Sequence, residues 1–363
     1  MLATSTPCLV LLQPPGRFPT VNRDPGLWWD ALARGGRYKM RLYSANSEWW
    51  REICSENVIR EILEPKTWSQ ALRARVEWRS RGLQLMGAAR NAAAALTALE
   101  RPATFSDSAS YCKAGTALQH HIAQVNESQR DLLINLDQGP VVPGLNYADS
   151  EALAAYARRA TLLHRLIRRS LAAVPLPVRF LAVTASSPFD LLTAMISVLE
   201  LKRRDASLHA CLVDHGYENF SLHAHMPALR ERGTLDAIFD SIIESKDDRD
   251  RLVPRLAMLA ASGAERRGFV RAADFDCASD ERPQGVEQAA ALDFPLPPPP
   301  VPAFVPEPVF WTRVSARRCY WSKCTFCTQN SKYAHAQAAT KSEIANSLNR
   351  IEAAARLGYR NFI

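Results

Sequence analysis

The chain has 363 residues, enough for two or three domains of ordinary size. Apolar residues make up 47% and charged residues 23%, a balance that excludes a mainly disordered chain, a collagen-like chain and a small disulfide scaffold. Basic residues exceed acidic ones by 45 − 37 = 8, but the excess is scattered along helical stretches, so neither nucleic acid nor membrane is the expected partner.

Cys8-Leu-Val-Leu-Leu-Gln13 is a continuous apolar run stopped by Pro14-Pro15-Gly16, the pattern of a strand buried on both faces. No lysine or arginine precedes that run and no small-residue cleavage pattern follows it, so it does not read as a signal peptide. No stretch reaches the roughly 18 uncharged apolar residues that span a bilayer. The expected location is the cytoplasm, where cysteines serve as ligands, nucleophiles or core residues rather than disulfides.

Lys39–Tyr43 reads as a second strand, followed by Ser44-Ala-Asn46 as a turn or helix cap. From about Ser47 to Leu99 the pattern is helical, rich in Ala, Arg and Trp, with Pro65 as a break. Residues 102–147 are mixed and polar and carry no assignable periodicity. Glu151–Ala173 then predicts one amphipathic helix with Leu153, Tyr156, Ala160, Leu163 and Ile167 on one stripe. Arg158, Arg159, Arg165, Arg168 and Arg169 fall largely off it and predict a solvated face.

An α/β rhythm follows Pro175 and Pro177. Strands are expected at Arg179–Ala185, Leu208–Asp214 and Asp236–Ile243, with helices at Phe189–Lys202, Leu222–Arg232 and Asp247–Ala261. Strands separated by helices of this length imply crossovers in a mostly parallel sheet. Residues 1–265 therefore predict one Rossmann-like domain with a helical insertion over about 47–173. Residues 266–308 read as a linker, polar at first and then proline-rich, with eight prolines between Pro295 and Pro308. Beyond it, Val309–Ser315 predicts a strand. Thr340-Lys-Ser-Glu343 is a capping box for a helix ending near Leu357 and Gly358, and Tyr359–Ile363 starts another strand.

Of the eight cysteines, Cys8, Cys54, Cys112, Cys211 and Cys277 are widely spaced and read as small buried hydrophobes or spectators. Cys319, Cys324 and Cys327 instead lie on one short segment, Arg317-Arg-Cys-Tyr-Trp-Ser-Lys-Cys-Thr-Phe-Cys327, spaced C-x4-C-x2-C. Three thiolates from one loop can hold three corners of a [4Fe–4S] cluster and leave one iron without a protein ligand. Arg317, Arg318 and Lys323 supply positive charge that favours the thiolate form. The competing reading is a tetrahedral zinc site with His335 as fourth ligand.

The cysteine segment after a strand, with Phe326 just before its last cysteine, resembles the cluster loop of radical SAM enzymes. The resemblance implies that Cys319, Cys324 and Cys327 bind a [4Fe–4S] cluster, that S-adenosylmethionine chelates the open iron, and that Phe326 lies near the adenine. It further implies reductive cleavage of S-adenosylmethionine to start radical chemistry on a peptide or other small-molecule substrate, with flavodoxin or ferredoxin as electron donor. The Cys-Tyr-Trp-Ser-Lys-Cys wording and the preceding Rossmann-like domain, with Tyr43-Ser-Ala-Asn46 after its second strand, are similar to members carrying a cobalamin-binding-type domain, including those that mature ribosomally made peptides.

The expected fold class is thus an α/β cobalamin-binding-type parallel sheet domain with a helical insertion, then the first βαβ unit of a partial TIM-like barrel over 309–363. Only 363 − 327 = 36 residues follow Cys327, so the later barrel strands that hold S-adenosylmethionine in that family are expected to be missing from this chain.

Two further features depart from the family. Its commonest spacing is C-x3-C-x2-C, one residue shorter in the first gap. Its base-off cobalamin domains carry a D-x-H-x-x-G loop after the first strand, whereas here that loop is Pro14-Pro-Gly-Arg-Phe18 and no histidine precedes His120. Asp214-His-Gly216 has a different spacing and follows a later strand. Cobalamin is therefore expected only without the usual histidine ligand. Phosphate-binding G-x-x-x-x-G-K-[ST], dinucleotide-binding G-x-G-x-x-G after a strand, H-E-x-x-H and G-x-S-x-G motifs are all absent. The pairs His120-His121 and His223/His225 lack companion ligands and read as solvated surface. The alternative function is a non-catalytic zinc or iron–sulfur module that recognises a partner through its Rossmann-like domain.

Overall fold

A computed structural model describes residues 8–18, 39–63, 81–101, 103–104, 107–129, 131–174, 176–214, 226–231, 234–243, 249–271, 274–275, 309–310, 341–356 and 361–362. Strand β1 (Cys8–Gln13) pairs in parallel with β2 (Lys39–Ser44), Leu11 opposite Leu42. Its apolar run is continuous because both faces are covered. Val10 and Leu12 join the larger core cluster on one side, and Leu11 joins the smaller one on the other.

Ser44 ends β2 and caps α1 (Ala45–Ile53), its hydroxyl oxygen accepting the Ser47 N–H at 3.2 Å. Trp49, Trp50 and Ile53 turn inward and are fully buried. Within the helical stretch expected from about Ser47 to Leu99, the described residues form α1, α2 (Glu56–Leu63) and α3 (Leu83–Leu99), and the break expected at Pro65 lies outside the described residues. α3 packs along α4 (Ser108–Ser128), a 21-residue helix in the segment where the sequence shows no assignable pattern. Its N-cap is clear: Asp107 accepts from the Ala109 and Ser110 amides. The polar look of α4 follows from its position, since only a narrow stripe from Ala114 to Val125 is buried. A short antiparallel hairpin follows, β3 (Leu133–Asn135) with β4 (Gly139–Val141).

The single helix expected over Glu151–Ala173 is two helices, α5 (Ser150–Ala157) and α6 (Leu162–Ser170). Thr161 is extended between them at φ −115° and ψ 176°. The break takes Ala160 off the stripe and exposes it, while Leu153, Leu163 and Ile167 stay fully buried. His164 locks the corner: its Nε2 donates to Ala157 O at 3.0 Å and its Nδ1 accepts from Thr161 Oγ1 at 2.8 Å. The arginine face is exposed as expected, but much of it is paired rather than simply solvated. Arg168 makes a two-pronged contact with Glu200, at 3.0 and 3.1 Å, and Arg169 reaches Glu52 and Glu61, both at 2.6 Å. Arg165 also pairs with Glu61.

Strand β5 (Phe180–Ala185) leads into α7 (Pro188–Arg204), capped by Ser187 and opened by proline. Lys202, Arg203 and Arg204 lie at its C-terminus, where the helix dipole favours positive charge. Then come β6 (His209–Asp214), α8 (Met226–Glu231), β7 (Ser241–Ile243), α9 (Arg249–Ser262) and β8 (Gly268–Val270). The strand expected over Asp236–Ile243 is thus cut to its last three residues. Leu235, Ile238 and Phe239 are buried, but the Ile238 and Phe239 amides both bond back to Leu235 O, forming a turn. Burial alone makes a run apolar, whether the backbone is extended or turned.

The sheet order is β2-β1-β5-β6-β7-β8, with every pair parallel. This is the expected Rossmann-like α/β domain with helices inserted after β2. Its last strand lies past the expected boundary at residue 265, inside the segment read as linker. Further along, β9 (Val309–Phe310) pairs in parallel with β10 (Asn361–Phe362), and α10 (Lys341–Arg356) runs between them in the chain, a βαβ arrangement. The proline-rich segment, Thr340 and Gly358 lie outside the described residues. No helix among the described residues is long and apolar enough to cross a membrane.

Candidate functional site

Cys319, Cys324, Cys327, Phe326 and His335 all lie outside the described residues, as do His215, His223, His225 and Cys277. What is described around the cysteine segment is its frame, β9 before it and α10 with β10 after it. Among the described residues no group of three His, Cys, Asp or Glu side chains is placed to hold a metal ion. Cys54 and Cys211 are core residues, and burial pushes both thiols up, Cys54 to about 12. Cys112 is exposed on α4.

One histidine reading is corrected. His120 is exposed and contacts Gln124, but its neighbour His121 is fully buried and donates from Nε2 to Ile53 O at 2.9 Å. That carbonyl belongs to the last turn of α1, so His121 ties α4 to the helix that leaves β2. Burial lowers its affinity for a proton.

In open parallel sheets, ligands sit outside the carboxyl ends of the strands where the strand order reverses. Here that point lies between β1 and β5. The loop after β1, Pro14–Phe18, approaches it from one side, and Ser186 and Ser187 before α7 from the other. Asn46, 2% exposed in the first turn of α1, holds the loop with both ends of its amide. Its Oδ1 accepts from Gly16 N at 2.9 Å, and its Nδ2 donates to Arg17 O at 2.9 Å. The Thr193 hydroxyl, from α7, donates to Pro15 O.

Beneath the loop is Asp190, in the first turn of α7. Its carboxylate accepts from Ser186 N at 3.1 Å and from the Ser186 hydroxyl. Burial pushes this carboxyl up, against the opposing effect of those hydrogen bonds. On the outer side the β3–β4 hairpin comes down onto the loop: Phe18 N donates to Leu136 O at 2.6 Å. Gly139, at φ +82°, sits against Gly16 so closely that a Cβ there would fall 2.4 Å from the Gly16 carbonyl carbon. Tyr147, in the segment after β4, packs on Phe189 at the start of α7 with ring centroids 4.5 Å apart. In the sequence only the loop Pro14–Phe18 and Asn46 of this set are marked, the one as the stop after a strand and the other as part of a turn or cap. Gly139, Thr193 and Asp190 carry no local signal.

A second polar cluster lies at the opposite, amino ends of the strands. His209, stacked on Phe180 at 5.5 Å, contacts Ser241 Oγ through Nε2 at 2.7 Å, and Ser241 donates to Arg266 O at 2.6 Å. The serine proton is therefore committed to a carbonyl, and the histidine must donate to the hydroxyl. That polarity is the reverse of the one that activates a nucleophile. Lys202 Nζ meets Asp240 Oδ2 at 2.8 Å beside it, and the same oxygen accepts from Ala210 N at 2.8 Å. With His209 and Ser241 both buried, the cluster ties β6 to β7 and does not face a substrate.

Comparison with family models, with curated proteins and with solved structures returns no significant match.

Proposed function

We propose that the chain is an iron–sulfur protein of the radical SAM type, acting on a peptide or another complex metabolite and reduced by a flavodoxin- or ferredoxin-like donor. One observation carries the reading: three cysteines spaced C-x4-C-x2-C on a single short segment, Cys319, Cys324 and Cys327. The donor set fits the group, because three thiolates satisfy three irons of a [4Fe–4S] cluster and leave the fourth for a small-molecule chelate. The parallel pair β9–β10 with α10 between supports it, since that arrangement can start a barrel around such a loop.

When bound, the cluster supplies one electron to the sulfonium of S-adenosylmethionine, which is cleaved to begin radical chemistry. In this proposal Cys319, Cys324 and Cys327 hold the cluster as thiolates. Arg317, Arg318 and Lys323 keep those thiols deprotonated and offset the negative charge of the loaded site. Phe326 would lie near the adenine.

The test is anaerobic reconstitution with iron and sulfide, then EPR of the reduced protein with and without S-adenosylmethionine. A [4Fe–4S]⁺ signal that shifts on its addition is expected, and Cys319→Ala, Cys324→Ala or Cys327→Ala is each expected to abolish the brown chromophore. Full iron stoichiometry in all three variants would refute the ligand assignment. A cluster signal indifferent to S-adenosylmethionine would refute its chelation by this chain and leave only the three-cysteine ligand assignment standing. Colourless protein with stoichiometric zinc would favour the His335 site.

A further inference from the structure

We infer that the switch-point crevice of the six-stranded sheet is filled by the chain's own β3–β4 hairpin, and that this domain does not take cobalamin there. The inference stands apart from the cysteine reading, because every residue that carries it lies in the sheet domain and its insertion.

The residues at this point do not fit the cofactor. The loop Pro14–Phe18 offers no histidine or aspartate to a corrin or its tail. Four of its backbone polar groups are already taken by protein partners. Gly16 N and Arg17 O are held by Asn46, Pro15 O by Thr193, and Phe18 N by Leu136 O. A ligand in the crevice would have to break these bonds and replace each one.

Space is closed as well. Gly139 and Gly16 meet backbone to backbone, so that a Cβ on Gly139 would also lie 2.7 Å from the Gly16 Cα. A Cβ on Gly16 would lie 2.6 Å from Asp190 Oδ1, so the inner side of the loop is closed too. Two glycines facing each other, one at positive φ, are what such an approach requires. The hairpin thus occupies the place of a ligand, and the contact fastens the helical insertion to the sheet.

The experiment uses the full chain and hydroxocobalamin. After incubation and desalting, no corrinoid absorbance is expected to remain with the protein; one retained equivalent would overturn the inference. Native-state hydrogen exchange tests the closure directly in the wild type. The Gly16 and Phe18 amides should be protected like those of β1, and exchange at open-loop rates would overturn it. Gly139→Val should raise exchange across Pro14–Phe18 about tenfold or more while β5 and β6 stay protected. Unchanged loop exchange in that variant would show that the hairpin does not hold the crevice shut. Should the variant fail to fold, the two wild-type measurements decide alone.

Discussion

Replacing Asn46 with alanine removes both side-chain bonds that hold the loop after β1. The lost partners are Gly16 N, buried, and Arg17 O, partly buried, each at 2.9 Å. An unsatisfied buried backbone group costs about 1–3 kcal/mol, and the partly wet carbonyl belongs at the low end, so the expected loss is about 3 kcal/mol. With an unfolding slope of about 3 kcal/mol per M, the urea midpoint should fall by about 1 M at an unchanged slope.

Asn46→Asp sharpens the test. It keeps an acceptor for Gly16 N but turns a carboxylate oxygen towards Arg17 O, burying a charge against a carbonyl. At neutral pH this variant should be at least as damaged as the alanine one. Its deficit relative to wild type should shrink in acid, where a protonated carboxyl can again donate to Arg17 O. An Asn46→Ala midpoint within about 0.2 M of wild type would refute the claim that this side chain holds the loop.

Acid should weaken the sheet domain. His121, His164 and His209 are all held below the usual imidazole range, with burial the main cause in each. The unfolded chain binds protons at these sites near pH 6.5, while the folded chain resists them. Stability is therefore complete above that pH and declines as pH falls towards the depressed folded values. Urea midpoints at about pH 7.5 and about pH 5.5 should differ, the lower value in acid; equal midpoints would contradict the burial of these rings. Thiol labelling resolved by peptide mass spectrometry should modify Cys112 in the native protein. Cys54, whose thiol burial pushes up to about 12, and Cys211 should react only after denaturation. Native labelling of either buried thiol would place it outside the core described here.

Much of the sheet domain is legible in local pattern. The run Cys8–Leu12 is apolar throughout because Leu11 faces one core while Val10 and Leu12 face the other. Ser44 announces the helix it caps by side-chain chemistry that needs no distant partner. Where the pattern misleads, burial and backbone shape have parted. Leu235, Ile238 and Phe239 are apolar because they are buried, yet they form a turn. Leu153, Leu163 and Ile167 keep one stripe across a helix that breaks at Thr161.

The cysteine trio is the opposite case: the proposal made for it rests on a spacing of a few residues, which can be read without any fold. The switch point depends on contacts across the chain. Asn46 lies 30 positions from Gly16, and Thr193 lies 178 from Pro15. By itself the sequence determined five of the six strands of the parallel sheet, missing β8 in the segment read as linker, and where three thiols fall together, because periodicity, capping and spacing are local properties. Only the tertiary structure decided that Gly139 meets Gly16 and that His121 is interior. Those outcomes depend on which surfaces pack together, a choice made by the whole chain.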